Sequence, residues 1–142
     1  TAQSQARVAQ AAALHKELAA RGVPVLNPPG GHGVFIDLRA MLPHVPADRF
    51  PAQALANELF VAAGVRSSEN LITPVQAASG ACLLRLALPL GGISPAAQRA
   101  VVEGLSSLLD RRQSIRGLRR TGGPAGVLGQ FAGTFTPIAD GQ

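Results

Sequence analysis

The sequence lacks most of what usually places a small protein. In 142 residues it has one cysteine, Cys82, a single lysine, Lys16, and neither tryptophan nor tyrosine. A lone cysteine excludes a disulfide framework. Nor can it complete a zinc site with His15, His32 and His44, whose spacing is not that of metal ligands. Aromatic residues make up 4% of the chain, all phenylalanine, so the interleaved stacking groups of single-strand nucleic-acid binders are missing. No apolar run approaches the ~18 residues of a membrane helix. No secretory leader is visible, which leaves the cytoplasm as the expected compartment. Charged residues are only 15% of the chain, too few for a disordered polymer.

What is present is apolar and small. Hydrophobic residues reach 46%, enough for one globular domain, but the total leans on alanine, so the core is expected to be built from small parts. The net charge is +5 and the pI about 11.3. Five arginines crowd between Arg111 and Arg120. A basic cluster attracts phosphate, yet this one closes a helical pattern, where cations meet the negative end of the dipole. It reads as a solvated helix end, without a nucleic-acid or membrane partner.

Periodicity lays out the elements. Val8, Ala11, Leu14 and Leu18 mark a helix over 2–21 with Gly22 as its stop, and no convincing N-cap precedes it, as in a piece of a longer chain. Val23–Leu26 reads as a short edge strand, Asn27–Gly31 as a turn, and Gly33–Leu38 as a second strand. Arg39–Phe50 is an irregular, proline-bearing crossing. A helix opens at Pro51 with Ala52, Leu55, Leu59 and Ala62 inward, and stops at Gly64. Val65–Ser67 is extended, and 70–81 a polar loop. Ser94 and Pro95 start a helix that carries Val101, Val102, Leu105, Leu108 and Leu109 and runs to about Arg112. Arg120–Gly129 reads as a Gly/Pro linker, followed by an extended piece with Phe131 and Phe135. This pattern predicts an α+β fold, a small antiparallel sheet covered on one face by helices.

Arg85 is the residue that points toward function. It interrupts the apolar strand Cys82–Pro89, where alternation sets Leu84, Leu86 and Leu88 on a core face and Leu83, Arg85 and Ala87 on the other. A guanidinium there needs a partner. The simplest is an internal salt bridge to one of the eight acidic residues; the other is a ligand carboxylate, which the planar fork of donors fits bidentately. No catalytic set accompanies it. Gly30-Gly31-His32-Gly33 joins strand to strand, so it lacks the helix N-terminus of a phosphate loop. His32 sits at the hairpin rim, either capping the turn or reaching a ligand. His15 and Lys16 read as surface residues and His44 as a hydrogen-bonding one. Ser67 and Ser68 have no adjacent base, and Glu69 is spaced to pair with Arg66.

Several segments carry a resemblance. Pro29–Asp37 (PGGHGVFID), Leu42–Pro46 (LPHVP), Phe50–Leu55, Ala63–Ser67 (AGVRS), Leu84–Pro89 (LRLALP), Ile115–Leu118 (IRGL) and Phe131–Phe135 together resemble the C-terminal part of the β-eliminating lyases, the tyrosine phenol-lyase and tryptophanase family. The likeness covers most of the chain, in order and with matching spacing. It implies the small domain of a fold-type I pyridoxal-phosphate enzyme over 1–120. A Gly/Pro linker and terminal extended segment would occupy 121–142, and the large domain with the cofactor lysine would lie outside this chain. It further implies pyridoxal 5'-phosphate held mainly by that large domain, a monovalent cation such as potassium, a homo-oligomer, and β-elimination of an amino acid to pyruvate and ammonia.

Residue by residue, the resemblance sets Arg85 where the substrate α-carboxylate is bound and Arg66 where an arginine approaches the substrate side chain. Phe131 falls near the aromatics of the leaving-group pocket. Departures fall around that pocket. Leu90–Ser94 replaces an arginine and an aromatic, the 70–81 loop is short, Arg66-Ser67-Ser68-Glu69-Asn70 replaces an Arg-Ser-Met-Glu-Arg motif, and only one of two paired phenylalanines remains. They imply a leaving group smaller than phenol or indole, such as that of cysteine or an S-substituted cysteine. A carrier-tethered substrate in a biosynthetic assembly line is a further expectation. The contrasting one is a non-catalytic interaction module, or a subunit completing a separate large-domain polypeptide.

Overall fold

Helix ends in this chain are set by a few residues with fixed local chemistry. In the computed structural model, which describes residues 1–70 and 78–139, helix α1 spans Ala2–Ala20. Thr1 caps it, its hydroxyl accepting from the Ser4 N–H at 3.3 Å, so an N-cap is present after all. Gly22 follows with φ 80°, a conformation that glycine adopts without strain. Strand β1, Gly33–Asp37, runs straight into a single turn, α2, Leu38–Met41. The turn forms because Asp37 Oδ1 accepts from the Arg39 N–H at 2.9 Å. This turn and a 3-10 turn at Ala47–Arg49 give order to the crossing expected to be irregular.

Helix α3, Pro51–Ala63, starts on the proline and stops at Gly64, φ 66°. Helix α4, Pro95–Asp110, is capped by the Ser94 hydroxyl, which accepts from the Ala97 N–H at 3.1 Å.

Strands β2, Ser68–Glu69, and β3, Leu83–Ala87, complete an antiparallel sheet in the order β1-β3-β2. The expected strand at 23–26 shrinks to one bridge, Val25 to Ile36, beside β1. Pro24 loses no ladder bond there, since its carbonyl accepts from the Asp37 N–H. The β1–β3 register runs from Gly33 opposite Ala87 to Asp37 opposite Leu83. Val34, Ile36, Leu84 and Leu86 therefore share one face and join Ala11, Leu14, Leu18, Leu55, Leu59, Leu105 and Leu108 in the core. The fold is α+β, with its helices packed on that face of the sheet.

A second sheet pairs β4, Leu118–Gly122, with β5, Thr134–Pro137, around a bulge between Arg120 and Gly122. The short helix α5, Gly129–Ala132, lies between them and carries Phe131. The stretch read as a linker from Arg120 thus begins inside a strand, and Phe131 is helical instead of extended. Phe135 closes this sheet against Phe50, edge to face at 5.0 Å. Within the polar loop expected at 70–81, residues 71–77 lie outside the described residues.

Two expected core positions are not core. Val8 is 49% exposed and Ala62 is exposed at the last turn of α3, because helical spacing does not say how far a covering element extends. Three side chains stitch distant backbone. His15 Nε2–H donates to the Leu26 carbonyl and His44 Nε2–H to the Ile115 carbonyl, each at 2.9 Å. Gln10 donates to the Ile93 carbonyl at 2.7 Å and accepts from the Ile93 N–H at 2.9 Å.

Helices α3 and α4 approach closely at Gly104, where an added Cβ would stand 2.8 Å from Ala63 Cβ and 3.2 Å from Leu59 Cδ1. Overpacking of this kind costs about 1–3 kcal/mol, against ~1 kcal/mol gained in helix propensity. Gly104→Ala is therefore expected to lower the urea midpoint of unfolding. An unchanged or raised midpoint would mean that the two helices can part at little cost.

Candidate functional site

The face of the sheet opposite the helices carries the polar groups. Antiparallel partners lie on the same face, so Phe35 of β1, Arg85 of β3 and Ser68 of β2 form one row across three strands. His32, exposed at the hairpin rim, extends the row through its ring, which meets Phe35 edge-on with centroids 6.3 Å apart. The hairpin has to be tight here: a Cβ on Gly30 would lie 3.2 Å from Phe35 Cε2 and 2.8 Å from the Gly33 carbonyl oxygen.

Arg85 is half-buried, and its Nε is out of reach of water with no hydrogen-bond partner among the described residues. Among the described residues, no internal salt bridge forms there. Asp37, on the same face, gives Oδ1 to the cap of α2. Glu69 pairs in register with Leu84, which puts it on the helix-facing side. The ion pair recorded for the described residues joins Arg111 to Glu58, 2.9 Å apart and open to solvent, where such pairs contribute ~0–1 kcal/mol. Among the described residues, Arg85 Nε is thus left as a desolvated donor on the face opposite the helices, a cost that an external carboxylate would offset.

The other candidates lie apart from this row. Arg66 is exposed in the segment returning from α3 and makes no ion pair with Glu69. Phe131, 74% exposed on α5, belongs to the second sheet, and no ring contact links it to Phe35 or His32. Phe35 was passed over in the sequence, and Ser68 was weighed there only as a nucleophile, not as a neighbour of Arg85. Alternation within each strand was visible, but the register that sets them beside Arg85 joins positions far apart in the chain.

Titratable groups near the sheet do not make a reaction centre. Burial raises the Glu69 carboxyl above its ordinary value. Burial also raises the Cys82 thiol, helped by the charges of Glu69 and Asp37 and opposed by the Ala52 N–H. A thiol so held stays protonated and is no nucleophile. No group of three or more metal-ligating side chains occurs among the described residues. Nor is any described helix long and apolar enough to cross a membrane.

No family model matches the chain. It is nevertheless 38% identical over 141 residues to tyrosine phenol-lyase of Symbiobacterium thermophilum, covering 94% of this chain and 31% of that protein. It is 37% identical over 126 residues to a probable β-eliminating lyase of Trichomonas vaginalis, covering 82% of this chain and 28% of that protein. With a probable tryptophanase of Halobacterium salinarum the identity is 35% over 134 residues, covering 94% and 30%. The chain is thus similar along nearly its whole length to part of the β-eliminating lyases, and it spans about three-tenths of the length of these relatives.

Burial of Glu69 has a measurable consequence. A carboxyl whose folded pKa lies above the unfolded value favours folding fully at low pH, and that contribution is lost as pH rises from 4.5 through the folded value. Glu69→Gln removes the dependence. The melting temperature of the parent chain is expected to fall relative to the variant as pH is raised from acid to neutral. Parallel profiles would place the carboxyl in water.

Proposed function

We propose that this chain is the small-domain part of a pyridoxal-phosphate-dependent β-eliminating lyase, and that Arg85 holds the α-carboxylate of its amino-acid substrate. The observation that carries the reading is the half-buried Arg85, unpaired among the described residues, on the face of the sheet that the helices leave open. Similarity to a tyrosine phenol-lyase and a probable tryptophanase supports β-elimination as the reaction class, and release of pyruvate and ammonia is part of this proposal.

In this reading the guanidinium fork takes both carboxylate oxygens and fixes the orientation of the substrate's α-carbon. Phe35 on one side and Ser68 on the other limit where the arginine can swing. The resemblance adds His32, Arg66 and Phe131 to the substrate-binding groups, although Arg66 and Phe131 lie apart from the Arg85 row within this chain. Because Leu90–Ser94 and Asn70 lack the expected aromatic and arginine, cysteine or an S-substituted cysteine is favoured, with a carbon–sulfur bond to break. A carrier-tethered form of that substrate belongs to the same proposal.

The residues present do not fit covalent attachment of the cofactor. Lys16, the one lysine, is exposed on α1. Pyridoxal phosphate, and potassium with it, therefore belong to a large domain. This chain would close over that domain within a homo-oligomer and exclude water.

The test is Arg85→Ala and Arg85→Lys in the assembled enzyme, followed through pyruvate release. Loss of a charge-assisted bidentate contact should lower kcat/KM on the order of 100-fold for Arg85→Ala. Arg85→Lys, which keeps the charge and loses the fork, should recover only part of it. Unchanged turnover in Arg85→Ala would remove the carboxylate role.

A further inference from the structure

A cleft between α3 and the segment returning from it is lined with hydrogen-bond donors. It encloses 190 Å³ and is lined by Gln53, Ala56, Asn57, Phe60, Arg66 and Ser67. The four α3 residues are spaced three and four apart and so share one stripe of the helix. Among the described residues no carboxylate lines the cleft. Gln53 Nε2 donates to Asn57 Oδ1 at 3.0 Å, which occupies that acceptor and leaves the Asn57 amide N–H groups to donate. Ser67 Oγ is buried and has no partner among the described residues. Among the described residues Arg66 also makes no ion pair, whereas Arg111 is matched by Glu58 of the same helix.

We infer that this cleft binds a short-chain carboxylate. Arg66 offers its fork to the two oxygens. The Ser67 hydroxyl, turned about its Cα–Cβ bond to another staggered position, gains the acceptor it lacks. Asn57 adds an N–H, and the short chain lies on Ala56 and Phe60. The volume is below the about 300–1,000 Å³ of drug-sized sites, which suits a small ligand. The apolar wall beside the donors favours a carboxylate over inorganic phosphate. The inference takes Arg66 in place of the substrate side-chain role proposed for it above, and it is independent of what Arg85 holds.

Chemical protection tests it in the polypeptide that carries this chain. Arginines are modified with phenylglyoxal in sodium butyrate, sodium phosphate or sodium chloride at equal ionic strength, and each site is followed by peptide mass spectrometry. Butyrate should slow modification of Arg66 about tenfold at saturation, as expected for an occupied bidentate site, and leave the exposed Arg99 and Arg119 unaffected. In Ser67→Ala the half-protecting concentration should rise about fivefold, the weight of one hydrogen bond. Butyrate protecting no better than chloride would overturn the site. Protection by phosphate alone would overturn the carboxylate assignment, and an unchanged curve in Ser67→Ala would remove the hydroxyl from it.

Discussion

The pairing of β1 with β3 is the constraint on which the rest of this structure depends. Because side chains alternate, one register sorts both strands at once: Val34, Ile36, Leu84 and Leu86 go to the helices, and Phe35 and Arg85 go to the open face. A slip of β3 by one residue against β1 would turn the guanidinium toward the core and Leu84 and Leu86 away from it. Fold and candidate site are therefore one decision. The cost of the wrong register is the burial of an unpaired charge added to the loss of that strand's apolar face.

That coupling explains which features could be read from the sequence. Pro51 with Gly64, and Ser94 with Pro95, announce helix ends through backbone geometry, and both helices begin where those residues stand. Alternation around Arg85 is likewise local, and the faces followed it. The β4–β5 sheet was hidden because its strands sit in a glycine-rich stretch with little alternation, and what closes it is the contact of Phe135 with Phe50, far away in the chain. Helix α2 was hidden for the opposite reason. It is one turn long, too short for any period, and its cue is a single Asp37 cap.

The open face also gives meaning to the scarcity of lysine. Everything this chain brings to the row is a donor or a ring: Arg85, Ser68, His32 and Phe35 can hold and orient, but none is placed to carry a reaction. Similarity to a part of the β-eliminating lyases, across about three-tenths of their length, accords with that division of labour. The cysteine belongs to the same picture, since Cys82 is kept as a protonated thiol by burial and by the acids around it.

The double contact of Gln10 with Ile93 sets a rule for variation in this chain. A primary amide that grips both the N–H and the carbonyl of one residue reads backbone and ignores side chain. Within the turn, Leu90 and Gly91 can therefore change at little penalty, whereas Gly92, with φ 74° and a Cβ position 2.7 Å from Gln10 Oε1, and Ser94, the cap of α4, cannot, and insertion or deletion of a single residue would break the grip. Divergence there should be written in substitutions, with loop length held as the inherited quantity.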